Sequence, residues 1–149
     1  MNGFTHLHVA SAFSGHYGVT RPETMAEAVA AAGSNALAIT DRDGLYGSVK
    51  HIGACLQLGI SPIVGVDLAI LDEDGALLAR SAILSHGHDN GSGWAKLCEI
   101  VSVHDTPQTF STLSEILNSS SLTPMAAFAG YKSWAGAFSI RITNCSTLT

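Results

Sequence analysis

Chemistry in this chain would start at FTHLHVASAFSGHYG, residues 4–18, where His6 and His8 stand one residue apart in an alternating, strand-like run. Residues i and i+2 of a strand share a face, so two imidazoles there can grip one ion. Further candidate ligands are Asp41 and Asp43 in ITDRDG, Asp67 inside the apolar run SPIVGVDLAIL, and His86 and His88 in SHGHDNGSG. His16 and His104 complete the set but carry no pattern of their own. Imidazoles mixed with carboxylates suit Zn, Mn or Fe in a hydrolytic centre, where the ions acidify bound water and clamp phosphate oxygens. The spacing alone does not close a ligand set.

Each candidate also has a plain structural reading. His6 and His8 can be hydrogen-bonded strand histidines. Asp41 and Asp43 can be a helix N-cap and a surface ion pair, the reading favoured for Asp43. His86 and His88, flanked by glycine, read as solvated loop residues. Asp67 is the most telling, because a carboxylate in an apolar strand needs a partner, and Arg42 is the candidate. Cys55 and Cys98 read as core residues of helix faces.

The elements that would position these groups follow one another in a regular order. Phe4 to Ser11 alternates as a strand. TRPE offers a capping box between Thr20 and Glu23, with Pro22 suited to a first helical turn. The helix ETMAEAVAAAG stops at Gly33. NALAIT reads as a short buried strand. In DRDGLYGSVKHIGACLQLG, Leu45, Val49, Ile52 and Leu56 recur at helical spacing up to Gly59. SPIVGVDLAIL reads as a fully buried strand, DEDG as a turn, ALLARSAILS as a returning strand and GWAKLCEIVSVH as a helix. This alternation predicts an α/β fold with parallel strands and right-handed helical crossovers, a layer or barrel segment. Chemistry in such folds gathers at the carboxyl ends of the strands, where His8, Asp41, Asp67 and His86 fall. Residues 1–110 form this α/β unit. Residues 111–149 read as a Ser/Thr/Ala/Gly-rich tail, with TLSEIL as a short helix and AFSIRIT as one strand.

Composition narrows the class. The chain has 149 residues, 46% hydrophobic and 13% charged, with a net charge of −5. That is a globular composition with about half the usual charged share. Its scattered cations give no basic stripe, so any contact with DNA is expected to be indirect. Three well-separated cysteines argue against a disulfide framework and for a reducing cytosol. No signal peptide or membrane span is evident, so the expected place is cytoplasmic.

The blocks HLHVASAFS and PETMAEAVAAAGSNALAITDRDGLYGSVKHIGACLQLGISPIVGVDLAI resemble the N-terminal PHP (polymerase and histidinol phosphatase) domain of bacterial DNA polymerase III alpha subunits. The resemblance runs from about Phe4 to His104 and is strongest to the error-prone alpha subunits of high-GC Gram-positive bacteria. It implies part of a distorted (β/α)7 barrel, a polynuclear metal site at the strand ends, and an ancestral phosphoesterase or 3′–5′ exonuclease. Its implied partners are the rest of a polymerase alpha subunit or other replication proteins.

Carried over position by position, the implied site is damaged. The paired histidines of the family's Leu-His-x-His-Ser block match His8 and Ala10, so the second ligand is lost and His6 stands one step before the pair. The family's Asp before Gly matches Tyr17, its Thr-Asp-His histidine matches Arg42, and its Glu after the Ile-x-Gly block matches Asp67 on a shorter arm. An arginine in a cation site opposes the ion: at about 4 Å and an effective dielectric near 20, each unit-charge pair costs roughly 4 kcal/mol. The expectation is a vestigial site in His8, His6, Asp41, Asp67, His86 and His88, with Ala10, Tyr17 and Arg42 at lost positions and no cofactor. The rival expectation is a phosphoesterase using Zn, Mn or Fe; a third is a standalone interaction protein. A partial barrel leaves an open sheet edge and an apolar face, predicting a homodimer or a tail strand that closes the sheet.

Overall fold

The computed structural model describes residues 4–71, 74–85, 91–104 and 122–125. Its elements are α1 (Pro22–Ala31), β1 (Ala36–Arg42), α2 (Ser48–Leu58), β2 (Ser61–Leu71), β3 (Leu77–Ser85), α3 (Ser92–His104) and β4 (Leu122–Met125). The four strands form one sheet in sequence order.

The sheet is mixed, which corrects the all-parallel expectation. β1 and β2 are parallel and joined through α2, but β2 pairs antiparallel with β3, and β3 antiparallel with β4. The reason is local. Only a few residues around Gly75 separate β2 from β3, too short for a crossover, and Gly75 takes the left-handed φ of 81° that such a turn uses. β4 comes from the stretch read as tail and places Pro124 in the last strand of the sheet, where a missing N–H is tolerated. A closed barrel is not formed by the described residues. TLSEIL and AFSIRIT lie outside them.

Residues 4–10 do not form the predicted strand, yet they run along β1. Ala38 donates to the His6 carbonyl at 3.1 Å and Thr40 to the Val9 carbonyl at 2.8 Å. Between these the ladder is broken by a side chain: Val9 N–H donates to Thr40 Oγ1 at 2.8 Å, where a regular strand would use a backbone carbonyl.

Two apolar clusters hold the layers together. Val64, Val66 and Leu68 alternate along β2 and pack with Ile83 against Leu97 and Ile100 of α3. Leu37 of β1 packs with Ala26 of α1, Ala54 and Cys55 of α2, and Ile60. Cys55 is core as expected, while Cys98 is only half-buried.

Two helix details differ from expectation. The Thr20–Glu23 capping box is not made: Arg21 is the N-cap of α1, with no side-chain cap bond. On α2 the buried face is Ser48, His51, Ala54 and Cys55, whereas Val49 and Leu56 are 73% and 66% exposed. α2 starts only at Ser48, because GLYG before it is irregular, so the stripe that included Leu45 was phased on residues outside the helix.

Candidate functional site: the carboxylate end of β1 and β2

Three carboxylates, Asp41, Asp43 and Asp67, lie where the pairing of β1 with β2 ends, those of Asp41 and Asp67 on opposite faces of the sheet. The register sets Arg42 beside Asp67 and Asp41 beside Val66. On the other side of β2, Asp67 pairs with Ala82 and Ala69 with Arg80. Alternation therefore puts Arg42, Asp67 and Arg80 on one face of the sheet.

Asp41 is 2% exposed and wired entirely by neutral donors. Its Oδ1 accepts from Ser11 N–H at 2.7 Å and from Ser14 Oγ at 2.7 Å; its Oδ2 accepts from Ser11 Oγ at 2.8 Å. Ser14 Oγ in turn accepts from Arg42 N–H at 3.0 Å. The loop from Ser11 to Gly18 is thereby closed over the end of β1. Gly47 completes the pocket: a Cβ there would stand 2.5 Å from Asp41 Oδ2.

Asp67 is 4% exposed and wired by cations. Arg80 Nε donates to its Oδ1 at 3.2 Å, while Arg42 Nε and His8 Nε2 lie 3.4 and 3.5 Å from its Oδ2. Arg42 was the expected partner, and it is one of three. The Arg42 guanidinium also covers the Tyr17 ring, 3.0 Å from its centroid. Arg42 thus contacts both the Tyr17 ring and the Asp67 carboxylate.

Asp43 is neither a helix N-cap nor paired with Arg42. It leaves β1 with a left-handed φ of 52°, and α2 is capped at Gly47 with no side-chain bond. Its Oδ1 accepts from Ala69 N–H at 2.9 Å, and Arg80 Nη2 donates to both of its oxygens at 3.0 Å.

The histidines are not brought together as a ligand pair. His6 and His8 do share an exposed face, but His6 meets the Phe4 ring edge-to-face at 4.8 Å, while His8 reaches Asp67. His16 is exposed in the Ser11–Gly18 loop with φ 67°. His86 and His88 lie outside the described residues. Among the described residues no three His, Cys, Asp or Glu side chains converge on a common point.

Sequence reasoning missed Arg80 and His51. Arg80 had a readable signal: a lone cation in a buried strand needs a carboxylate, as Asp67 needs a cation. His51 is fully buried on α2, with Nε2 3.1 Å from the Leu37 carbonyl and Nδ1 3.7 Å from Cys55 Sγ. Burial pushes its imidazole below the ordinary value, against the Leu37 and Ile63 carbonyls and the Asp41 charge, which pull it up. Burial pushes the Cys55 thiol up.

A mixed sheet with helices packed on it, and buried carboxylates where its parallel pairing ends, defines a protein of α/β type. The PHP domain family matches residues 6–133, and the chain belongs to that family. Among curated relatives, DNA polymerase III subunit alpha of Pseudomonas aeruginosa is 37% identical over 101 residues, 66% of this chain and 8% of that protein. Error-prone DNA polymerase of Mycolicibacterium paratuberculosis is 40% identical over 67 residues, 45% of this chain and 6% of that protein. The chain therefore spans less than a tenth of the length of these relatives. Among solved structures, an amidohydrolase from Chromobacterium violaceum superposes with a TM-score of 0.48 at 23% identity, covering 66% of this chain and 34% of that one.

The metal centre that the family resemblance implies does not fit the donors among the described residues, which do not include His86 and His88. A ligand must offer a free lone pair, and a guanidinium beside it repels the ion. Both oxygens of Asp67 face cationic or imidazole partners, and Asp41, 2% exposed, is enclosed by the Ser11 and Ser14 donors that fill three of its four acceptor sites.

Proposed function

We propose that this chain is the PHP portion of a DNA polymerase III alpha-type or error-prone polymerase, serving DNA replication or translesion synthesis as a structural and docking module rather than as a phosphoesterase. One observation carries the non-catalytic part: Asp67, at the position of a family ligand, is held between Arg42 and Arg80. The polymerase part is supported by the family match and by the two named relatives. Its partners are the remainder of such a polymerase, or other replication proteins, in the cytoplasm. Contact with DNA runs through them, since this chain carries a net charge of −5.

The test is hydrolysis of p-nitrophenyl phosphate and of single-stranded DNA by the purified chain, with Zn, Mn or Fe supplied. Turnover at the buffer background is expected. Metal-dependent turnover that disappears in His8→Ala or Asp67→Asn would establish the phosphoesterase instead. Affinity purification from the source cells is expected to recover polymerase sequence, in the same polypeptide or a bound one. Recovery of neither would favour the standalone interaction protein.

A further inference from the structure

We infer that Arg80 is the resident cation of this domain: its guanidinium ties β1, β2 and β3 together where a bound ion would otherwise do so. The inference rests on the non-catalytic reading above and names the residue that makes it workable.

The geometry is that of an oxygen cage. Arg80 Nη2 alone has three oxygen partners: Asp43 Oδ1 and Oδ2 at 3.0 Å and the Asp67 carbonyl at 2.6 Å. Its Nε adds Asp67 Oδ1 at 3.2 Å. The same Asp67 carbonyl accepts Asp43 N–H at 3.0 Å. Oxygens from the exit of β1 and from β2 thus close on a cation delivered by β3. Hard divalent ions ask for a similar all-oxygen shell. A guanidinium satisfies it while staying charged at every accessible pH and covalently tethered.

Two further features show that the cage is held in place. Asp43 sits at a left-handed φ that an L residue adopts at a cost, though aspartate tolerates it better than most. Its Oδ1 is also pinned by Ala69 N–H, on the residue opposite Arg80. The Arg80 side chain is 16% exposed and that of Asp67 is 6% exposed, so solvent would compensate poorly for a partner lost to Asp67, while Asp43, 37% exposed, would be partly hydrated.

Removing the guanidinium leaves two carboxylates and a carbonyl converging without this cation. The domain should then lose stability and gain a response to added divalent ions, since whatever binds only the folded form stabilises it. The experiment measures the melting temperature of the whole chain and of Arg80→Met, each in EDTA and in millimolar MnCl2. Arg80→Met is expected to melt about 5–10 °C lower. MnCl2 is expected to restore several degrees to it and to leave the parent unchanged. If Arg80→Met does not fold, Arg80→Lys keeps a cation among the same oxygens and is expected to fold, melt below the parent and ignore MnCl2. Variants that melt like the parent would overturn the inference, as would MnCl2 shifting the parent as much as Arg80→Met. The two claims fail separately. A parent that carries ions as purified and loses stability in EDTA defeats the non-catalytic reading. An ion-free parent whose stability is indifferent to Arg80 defeats this inference alone.

Discussion

Asp41 and Asp67 stand where the parallel pairing of β1 with β2 ends, both almost fully buried, and they are satisfied by opposite chemistry. Two serines of one loop hold Asp41 through neutral donors. Two arginines and a histidine from three separate segments hold Asp67. The first arrangement is short-range in space and indifferent to salt. The second carries the formal charges of two arginines across the sheet to its rim, where Arg42 is 26% exposed. A buried carboxylate can therefore be satisfied in two ways, by hydroxyl dipoles or by internal cations, and this domain uses both within two adjacent strands.

The comparison can be broken at its stronger end first. Asp41→Ala strands the Ser11 and Ser14 donors in a site with no water access and unfastens the Ser11–Gly18 loop. A loss of about 3 kcal/mol is expected, read as a fall of about 10 °C in melting temperature. Asp67→Asn keeps the shape but leaves Arg42 and Arg80 short of a counter-charge, and about 2 kcal/mol is expected from denaturant titration. Salt separates the two: molar NaCl should shrink the Asp67→Asn deficit and leave that of Asp41→Ala unchanged. Equal salt response would mean that the two carboxylates are not held differently.

A pH titration sharpens the same contrast, because His51 lies within the influence of Asp41. Its folded value is depressed by burial, so the fold favours the neutral ring. Its contribution is fully present above the unfolded value of about 6.5 and is lost as pH falls below that towards the folded value. Melting temperature should drop between pH 7 and pH 5, less steeply in His51→Asn. Asp41→Asn removes a charge that pulls the imidazole up and should steepen the acid loss. The smallest effect is expected at the rim. Tyr17→Ala removes the ring from Arg42 and should cost about 0.5–1 kcal/mol, since Tyr17 is 61% exposed.

How much of this could be read from the chain depends on which residues one asks about. Asp67 was legible because a lone carboxylate in SPIVGVDLAIL breaks an apolar run, and Arg42 followed from its place in ITDR. Arg80 obeys the same rule in ALLARSAILS, but its partner is set by the antiparallel register of β2 and β3, which the parallel expectation hid. His51 was masked by Val49 and Leu56, whose helical spacing matches a buried stripe although both face solvent. The run at residues 4–10 alternates as a strand should, and its exposure does alternate. The hydroxyl of Thr40 interrupts the ladder, and no periodicity records that. The helices and the strands β1 to β3 followed turn residues and apolar runs; β4, pairing direction and side-chain partners were set by contacts distant in sequence.

The most direct test of the central claim is the metal content of the purified chain after equilibrium dialysis against Zn, Mn and Fe. The account predicts far less than one ion per chain, unchanged by Asp67→Asn. Two or three ions per chain, lost when Asp67 and His8 are replaced, would contradict it.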